Sequence, residues 1–324
     1  MTTAKDPASP DAALLRGDRA EVSRALNDVE STLADAGQKT RERLSRLRAA
    51  NAFARAHTVG ITGPPGVGKS TLAAALVRAL RADGRTVGVL AVDPSSVRSG
   101  GALLGDRVRM TLDPADEGVF VRSLATGGEL GGLARSVPLG VLVLSAAFDV
   151  VLVETVGIGQ SETEARHVVD TLLFVVQPGS GDSVQFLKAG IMEVPDLFVV
   201  NKADIAQAEA TARDLKASLA ALRAAGVASE ELPVLSTSAT KGEGVSALVQ
   251  ALDAHRARLV ASGQLAARRL DGTTAWTLSA FARRYGEVGM HRRGGRAAVR
   301  RAIRAELEKG HDVLAALDEL DPFG

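Results

Sequence analysis

The stretch Gly63-Pro64-Pro65-Gly66-Val67-Gly68-Lys69-Ser70-Thr71 matches the pattern G-x-x-x-x-G-K-[ST] at every fixed position. An apolar run typical of a β-strand, residues 58–62, comes directly before it. Leucines at positions 72, 76 and 80 follow it at the spacing of one helix face. A strand, a glycine-rich loop and a helix in this order are the context in which the pattern marks a phosphate-binding loop. We therefore predict an α/β fold organised around this loop.

The residue types in the loop suit a polyphosphate. Gly66 and Gly68 allow backbone N–H groups to approach the anion closely, and the helix that begins near Lys69 turns its positive end toward it. We expect Lys69 to reach the terminal phosphates, Ser70 to ligate magnesium and Thr71 to contact the α-phosphate. The alternative is a glycine-rich turn that binds nothing, and the flanking strand and helix count against it.

The composition excludes several classes of protein. The chain has 324 residues, 46% hydrophobic and 24% charged, which is an ordinary balance for one large or two modest domains. Its formal net charge of +1 gives no electrostatic argument for nucleic acid or an acidic membrane as a partner. Without cysteine, the chain has no disulfides or thiolate metal sites. Since it has no signal sequence and no run near the ~18 apolar residues of a membrane span, we expect a cytoplasmic location.

Seven strand-like runs alternate with helical patterns in the middle of the chain. Most of them are continuously apolar, which is typical of a mostly parallel sheet with helices on both faces. The runs cover residues 58–62, 86–92, 119–123, 150–154, 172–176, 197–201 and 234–236. We therefore divide the chain into an N-terminal helical region (1–56), a P-loop NTPase domain (57–262) and a C-terminal helical region (263–324).

The two flanking regions have helical periodicity. In the first region, Gly37 is expected to separate two helices. In the last, Val299, Ile303 and Leu307 form one apolar stripe. Arginines are concentrated between residues 283 and 304 with little aromatic interleaving. A solvated helical face or a protein contact explains them better than nucleic-acid binding.

Carboxylates follow the predicted strands at the edge where the phosphates are expected. Asp93 ends the second run, Asp106 lies shortly after it, and Glu154 ends the fourth. Ligands of parallel sheets bind at the carboxyl ends of the strands, so these three residues are candidates for the magnesium site together with Ser70. Helix capping or turn formation is the alternative for the two aspartates.

A second motif, Asn201-Lys202-Ala203-Asp204, predicts the base. Asp204 can accept from the ring N–H and the exocyclic amine of guanine, and a site that loses this donor pair with adenine loses roughly 1–3 kcal/mol. Asn201 can bridge to the phosphate loop while the stem of Lys202 lies along the base plane. The segment Ser238-Ala239-Thr240 fits a further base-contacting loop, with the Ala239 N–H toward the guanine oxygen. The sequence therefore favours GTP over ATP.

The segment Glu154-Thr155-Val156-Gly157 occupies the place where many GTPases carry D-x-x-G. The Gly157 N–H can sense the γ-phosphate, but Glu replaces Asp and the nearest glutamine, Gln160, is three positions farther on. We expect slow intrinsic hydrolysis that depends on a partner or on dimerisation. The candidate catalytic residues are Lys69, Asp93, Glu154 and Gln160.

Taken together, these segments resemble the MeaB/ArgK family of P-loop GTPases. The residues that carry the resemblance are 63–71, 91–96, 100–101, 104–107 with Arg109 and Met110, 154–162, and 201–204; segment 15–19 is also similar. The resemblance covers nearly the whole chain, and the Asp93 and Glu154 segments are far more specific than a phosphate loop.

The resemblance implies a function that the spacing does not. Family members are GTP-hydrolysing chaperones of adenosylcobalamin-dependent acyl-CoA mutases such as methylmalonyl-CoA mutase, and they deliver intact cofactor and release damaged cofactor. The implied partners are such a mutase, a cobalamin adenosyltransferase and a second copy of the chain, joined as a homodimer through the C-terminal helical arm. The implied magnesium ligands are Ser70, Asp93, Asp106 and Glu154. We expect cobalamin itself not to bind this chain.

A third switch loop, which relays the nucleotide state to the mutase in this family, corresponds to residues 178–188. The family pattern G-D-E-L-Q-G-I-K reads here Gly181-Asp182-Ser183-Val184-Gln185-Phe186-Leu187-Lys188. Asp182, Gln185 and Lys188 are therefore the partner-sensing candidates. The missing Glu and the added Phe make another cobalamin acyl-CoA mutase as plausible a partner as methylmalonyl-CoA mutase.

Two other functions remain as alternatives. One is an ArgK-like nucleotide-dependent kinase of a transport system, which requires phosphoryl transfer to a protein acceptor. The other is a nucleotide-gated interaction switch with negligible catalysis, which would keep its nucleotide without turnover.

Overall fold

The structure of the protein is a computed structural model. The structure describes residues 9–31, 33–93, 112–125, 136–155, 161–179, 194–226 and 231–323. Within them lies one sheet of seven strands, and every pairing in it is parallel. The strands are β1 (His57–Thr62), β2 (Val87–Asp93), β3 (Val119–Ala125), β4 (Val150–Glu154), β5 (Thr171–Val176), β6 (Leu197–Val200) and β7 (Val234–Ser236).

The strand order across the sheet is β3-β2-β4-β1-β5-β6-β7. Strands β1, β4, β5 and β6 are buried at every position, which explains why their sequences read as continuous apolar runs. The predicted α/β class with a parallel sheet is confirmed. The strand bounds agree with the prediction to within two residues at each end.

Eleven helices occur in the described part of the chain. They are α1 (Pro10–Leu15), α2 (Arg19–Glu30), α3 (Ala34–Ala49), α4 (Lys69–Ala82), α5 (Ser136–Ala147), α6 (Ser161–Arg166), α7 (Ala208–Ala224), α8 (Val245–Ala261), α9 (Gln264–Arg292), α10 (Arg296–Glu308) and α11 (Val313–Glu319). No described helix combines the length and the apolar character that a membrane crossing requires.

Helices cover both faces of the sheet. On one face, Leu72 and Leu76 of α4 belong to a buried cluster with Ile61 of β1, Leu173 of β5 and Leu248 of α8. The other face carries α2 and α5, whose side chains form a second cluster with β2 and β4. Helix α7 packs beside them on β5 and β6. The sheet is therefore held between two apolar layers, and its strand ends are free to carry polar residues.

The predicted helix break at Gly37 is wrong. Helix α2 ends at Glu30, Ser31 is extended, and α3 begins at Ala34 and runs through Gly37. A β-carbon at Gly37 would meet no atom within 4 Å, and a glycine inside a helix costs only about 1 kcal/mol relative to alanine. Periodicity alone could not show that the surrounding helix tolerates this cost.

The C-terminal helices form their own apolar cluster. As predicted, Val299, Ile303 and Leu307 are buried, and they pack with Phe281 of α9 and Leu317 of α11. Helix α9 is interrupted at Gly286, whose φ of 61° and ψ of −166° are not helical. The division of the chain into three regions remains a prediction.

Helix α9 is fixed to the sheet at the amino ends of the strands by a group of polar side chains. We call this group the amino-edge cluster; it consists of His57, Asp170, Thr171, Asp196, His255, Arg268 and Arg269. Asp170 accepts two hydrogen bonds from Arg269, at 2.6 and 2.7 Å, and Asp196 accepts one from Arg268 at 2.9 Å. Thr171 lies between the two histidines, at 2.8 Å from Nε2 of His57 and 2.7 Å from Nδ1 of His255.

Helix α9 also touches the chain just after α6. A β-carbon added at Gly272 would overlap the carbonyl oxygen of His167, so the backbone of α9 lies directly against that residue. Arg166, the last residue of α6, forms an ion pair with Asp196 at 3.7 Å. Helix α9 is therefore packed against the chain at the end of α6, the helix that follows the predicted D-x-x-G-like segment 154–157.

Candidate nucleotide-binding site

The glycine-rich loop joins the end of β1 to the start of α4, as predicted. Gly63, Gly66 and Gly68 have φ values of 140°, 80° and 93°, a region that favours glycine. A β-carbon at Gly63 would overlap the carbonyl oxygen of Val175 in β5, and one at Gly68 would lie 2.6 Å from Nδ2 of Asn201. The first and third glycines are thus required both by backbone conformation and by close neighbours.

Lys69 is held inside the loop. Lys69 is only 8% exposed, and its Nζ donates hydrogen bonds to the carbonyl oxygens of Gly63 (2.8 Å) and Pro64 (3.1 Å). The helix behind it has no side-chain cap at Gly68, so its first backbone N–H groups face the loop. A buried ammonium and a helix N-terminus at one point are a favourable environment for an anion.

Ser70 and Glu154 meet beneath this loop. The Ser70 hydroxyl donates to Oε1 of Glu154 at 2.6 Å, and the parallel register pairs Glu154 with Ile61 near the end of β1. A hydroxyl and a carboxylate in contact are oxygen ligands of the type that magnesium prefers. Two of the four predicted magnesium ligands are therefore brought together and fit that ion.

A buried pair of threonines supports this arrangement, and the sequence reasoning did not find it. The Thr155 hydroxyl donates to Oγ1 of Thr62 at 3.0 Å, and the Thr155 N–H donates to the carbonyl of Ile61 at 3.1 Å. These bonds tie the end of β4 to the end of β1. The only available signal was that both threonines follow apolar runs.

Asn201 connects the two predicted motifs. Its amide nitrogen donates to the carbonyl of Val67 at 3.0 Å, and its Oδ1 accepts from the Thr237 hydroxyl and the Ala239 N–H, each at 3.2 Å. The side chain is 2% exposed. The predicted bridge from this residue to the phosphate loop is therefore present. The Ala239 N–H, predicted to face the guanine oxygen, is directed at Asn201 in this structure.

Lys202 has an uncommon backbone conformation for a residue other than glycine, with φ of 58°. Its Nζ donates to the carbonyl oxygen of Gly66 at 2.8 Å and to Oε1 of Gln177 at 2.6 Å. The lysine thus spans from the base-recognition motif to the phosphate loop. The contact with Gln177 was not predicted, because nothing in the sequence shows which strand end lies beside Lys202.

Asp204 lies beside the predicted base-contacting loop, residues 238–240. Its Oδ1 accepts from the Ser238 hydroxyl at 2.8 Å, and Lys241 lies 3.9 Å away. The Ser238 hydrogen bond, a backbone N–H and the Lys241 charge lower the pKa of Asp204, so the carboxylate stays ionised and can accept. Thr240 is exposed, with its hydroxyl 3.4 Å from that of Ser238.

The remaining residues of the phosphate loop differ in exposure. Val67 is buried, Pro64 and Thr71 are half-buried, and Pro65 is exposed. Asp93 ends β2, and its side chain lies outside what the structure describes. Asp106, Gly157, Gln160, Asp182, Gln185 and Lys188 also lie outside the described residues. Their predicted roles remain predictions.

Comparison with known proteins places this chain in a family. The model of the methylmalonyl-CoA mutase-associated GTPase MeaB matches residues 22–286. A Pyrococcus abyssi protein named as a GTPase is 44% identical over 259 residues, covering 78% of this chain and 77% of its own. The mouse mitochondrial methylmalonic aciduria type A homolog is 34% identical over 275 residues, covering 81% of this chain and 66% of its own.

One solved structure is similar over nearly the full length. The crystal structure of an LAO/AO transport system kinase aligns with a TM-score of 0.66 and 26% sequence identity, covering 98% of both chains. The two proteins therefore share the overall fold.

Proposed function

The chain belongs to the family of methylmalonyl-CoA mutase-associated GTPases, MeaB, and from that premise we propose that it is a chaperone of an adenosylcobalamin-dependent acyl-CoA mutase. It is a GTPase, as its relatives are named and as the P-loop fold supports. In the proposed role, the GTP cycle drives assembly, protection and reactivation of the mutase. The match of the family model over residues 22–286 is the observation that carries this proposal.

At the phosphate end of the site, we assign the binding of the terminal phosphates to Lys69. The ammonium donates to two backbone carbonyls, at 2.8 and 3.1 Å, and a phosphate oxygen in their place would be a charged and therefore stronger acceptor. The N–H groups at the start of α4 add their partial charge. Both contacts strengthen as negative charge moves to the leaving phosphate oxygens, which favours hydrolysis.

Magnesium is the proposed metal cofactor. Ser70 and Glu154 would hold it together with Asp93 and Asp106, and the 2.6 Å contact between Ser70 and Glu154 supports the first two of these ligands. When bound, magnesium neutralises charge on the phosphates. Gln160 is proposed to orient the attacking water, with Gly157 near the γ-phosphate.

At the base end, Asp204 is proposed to accept from the guanine ring N–H and amine. The Ser238 hydroxyl occupies one carboxylate oxygen and leaves the other beside Lys241. Asn201 positions the phosphate loop and the Ala239 loop relative to each other, since it bonds both. A base that offers no donor pair leaves the Asp204 carboxylate poorly satisfied.

The partners follow from the same proposal. The mutase is the first partner, and the mouse relative named for methylmalonic aciduria is consistent with it. A homodimer through the C-terminal helices, a cobalamin adenosyltransferase as second partner and a cytoplasmic location complete the proposal. The partner-sensing residues would be Asp182, Gln185 and Lys188.

The test is GTP turnover by the purified protein, alone and with each candidate cobalamin acyl-CoA mutase. We expect weak basal turnover that rises with one mutase, and no rise when Lys69→Ala replaces the native chain as the control. If no mutase alters the rate or is retained by the immobilised protein, the chaperone function is refuted and the GTPase remains.

The same assay separates the other two functions. Transfer of the γ-phosphate to a protein would favour the transport-system kinase, a possibility raised by the similar crystal structure. Nucleotide that stays bound without turnover, even with a mutase present, would favour a non-catalytic interaction switch.

A further inference from the structure

Gln177 is a polar residue at the nucleotide site with no role in the assignments above. It directly follows β5 and is half-buried. Its Oε1 accepts a hydrogen bond of 2.6 Å from Nζ of Lys202. Hydrogen bonds from a charged donor are stronger than those between two neutral groups.

Lys202 holds two loops together through that ammonium. Its backbone belongs to the base-recognition motif, while Nζ also donates to the carbonyl of Gly66 in the phosphate loop at 2.8 Å. The backbone φ of 58° is unfavourable for lysine and persists only where surrounding contacts fix it. Gln177 supplies one of these contacts, so it helps to set where the lysine side chain lies.

The carboxyl end of β5 reaches both loops by its backbone as well. The Val176 carbonyl accepts from the N–H of Asn201 at 2.9 Å, and the Val175 carbonyl lies against Gly63, where no β-carbon would fit. Gln177 is the next residue along the chain. Gln177 therefore lies where the chain leaves β5, and β5 contacts both the phosphate loop and the base-recognition motif.

We propose that Gln177 is a positioning residue that controls how long the nucleotide stays bound. By accepting from Lys202, it keeps the ammonium on the Gly66 carbonyl and the lysine stem beside the base. The guanine and the phosphates are gripped by separate loops, and this lysine joins them. Without its anchor the lysine moves among several positions, the two loops separate more readily, and the nucleotide leaves faster.

The experiment measures dissociation of a fluorescent GDP from the full chain in magnesium buffer. Gln177→Met keeps the length of the side chain and removes the acceptor. We expect it to speed GDP release about tenfold, the effect of losing one hydrogen bond to a charged group. The matched control is Gln264→Met, at the exposed start of α9, which should leave the release rate unchanged.

A double-mutant cycle shows whether Gln177 acts through the lysine. Lys202→Met should speed release at least as much as Gln177→Met, because it loses both contacts of Nζ. In the Lys202→Met background, adding Gln177→Met should change the rate by less than about twofold. Single-turnover hydrolysis of bound GTP should change less than GDP release in Gln177→Met, because the described bonds of Lys69 and Ser70, the residues assigned to the phosphates and magnesium, do not involve Gln177.

Two results would overturn the inference. One is a native release rate in Gln177→Met. The other is an equal tenfold effect with and without the Lys202 ammonium, which would mean that Gln177 acts by packing alone. Gln177→Asn, which keeps the amide on a shorter stem, should recover part of the native rate if the hydrogen bond matters.

The inference rests on the proposed guanine nucleotide site and not on the chaperone role. The release assay contains no mutase, so failure of the chaperone proposal and failure of the Gln177 inference give different results.

Discussion

Charged residues lie at both ends of the strands, which we call the amino edge and the carboxyl edge of the sheet. The partners of these charges differ between the two ends. At the amino ends of the strands, carboxylates with little exposure are paired with permanent cations: Asp170, 1% exposed, with Arg269, and Asp196, whose side chain is 9% exposed, with Arg268. At the carboxyl ends, Lys69 rests on backbone carbonyls and Glu154 accepts from the Ser70 hydroxyl. The ion pairs at the first edge join charge to opposite charge, whereas these hydrogen bonds at the second edge each join a charged group to a neutral one.

This difference separates stability from function within one sheet. A fully paired buried charge has nothing to gain from a ligand and a great deal to lose when its partner is removed. A cation that is held by carbonyl oxygens can exchange them for phosphate oxygens at little cost. The amino-edge cluster therefore fixes the C-terminal arm, while the carboxyl edge is prepared to bind an anion.

The largest effect is expected from removing the ion pair between Asp170 and Arg269 in the amino-edge cluster. Burial opposes ionisation of Asp170, but Arg269 and the Thr58 N–H outweigh it and hold the pKa of the carboxyl below its usual value. Asp170→Asn should lower the free energy of unfolding by about 3 kcal/mol, toward the lower end for a buried pair because Arg269 is 30% exposed. Urea unfolding followed by circular dichroism measures it.

The control for that variant is an exposed ion pair between α10 and α9, the helix that also carries Arg269. Asp271 pairs with Arg304 and is 52% exposed, so Asp271→Asn should cost less than about 1 kcal/mol. If the two variants are equally destabilised, the amino-edge cluster has no special part in stability.

At the other edge, removing the charge should affect activity and leave stability nearly unchanged. Lys69→Ala should lower kcat for GTP by about 10²–10³, the loss typical of one preorganised donor to transition-state charge. Phosphate-release kinetics give kcat and thermal unfolding gives the stability. Lys309→Ala, at an exposed ion pair with Glu306, is the matched control. More than a tenth of native kcat in Lys69→Ala would exclude the proposed role.

The pH dependence of stability should also come from the amino edge. Burial lowers the pKa of His57 to about 4 from its ordinary value of 6.5. Between these values the unfolded chain takes up a proton that the folded chain refuses, so stability rises with pH in this window and is lost on acidification. The expected loss from pH 6.5 to 4 is about 3 kcal/mol from this group.

His57→Gln should remove much of that slope, since it can still bond to Thr171 without titrating. The charged and titratable groups facing His57 are Asp170, Asp253, His255 and Arg256, and all of them remain. Asp196, with a pKa of about 2, acts in the separate window below pH 4, where its protonation removes stability. Parallel stability curves for native protein and variant between pH 4 and 6.5 would contradict this assignment.

The sequence predicted most of the carboxyl edge and little of the amino edge, for a physical reason. A phosphate loop is local, so the bonds of Lys69 to Gly63 and Pro64 join residues five and six positions apart. Asp170 and Arg269 are 99 residues apart, and no pattern in either segment indicates the other. Buried strands were predictable because their apolar runs are continuous, whereas their order in the sheet is set by packing.

The same reason explains the smaller differences. The bonds of Asn201 to the phosphate loop could be predicted from a known motif, while its bonds to Thr237 and Ala239 depend on how β6 and β7 pair. Gly37 was misread because its neighbours stabilise the helix through it. Local chemistry is visible in a sequence, and contacts that depend on the packed sheet are not.

The most direct test of the central claim, that the carboxyl edge is a guanine nucleotide site, is a base exchange at Asp204. GTP and xanthosine triphosphate turnover are measured for native protein and for Asp204→Asn. We predict that the variant loses about ten- to hundredfold in kcat/KM for GTP and gains on xanthosine triphosphate, whose extra carbonyl accepts from the introduced amide. Unchanged GTP preference in the variant would contradict the assignment of Asp204 and, with it, this account of the site.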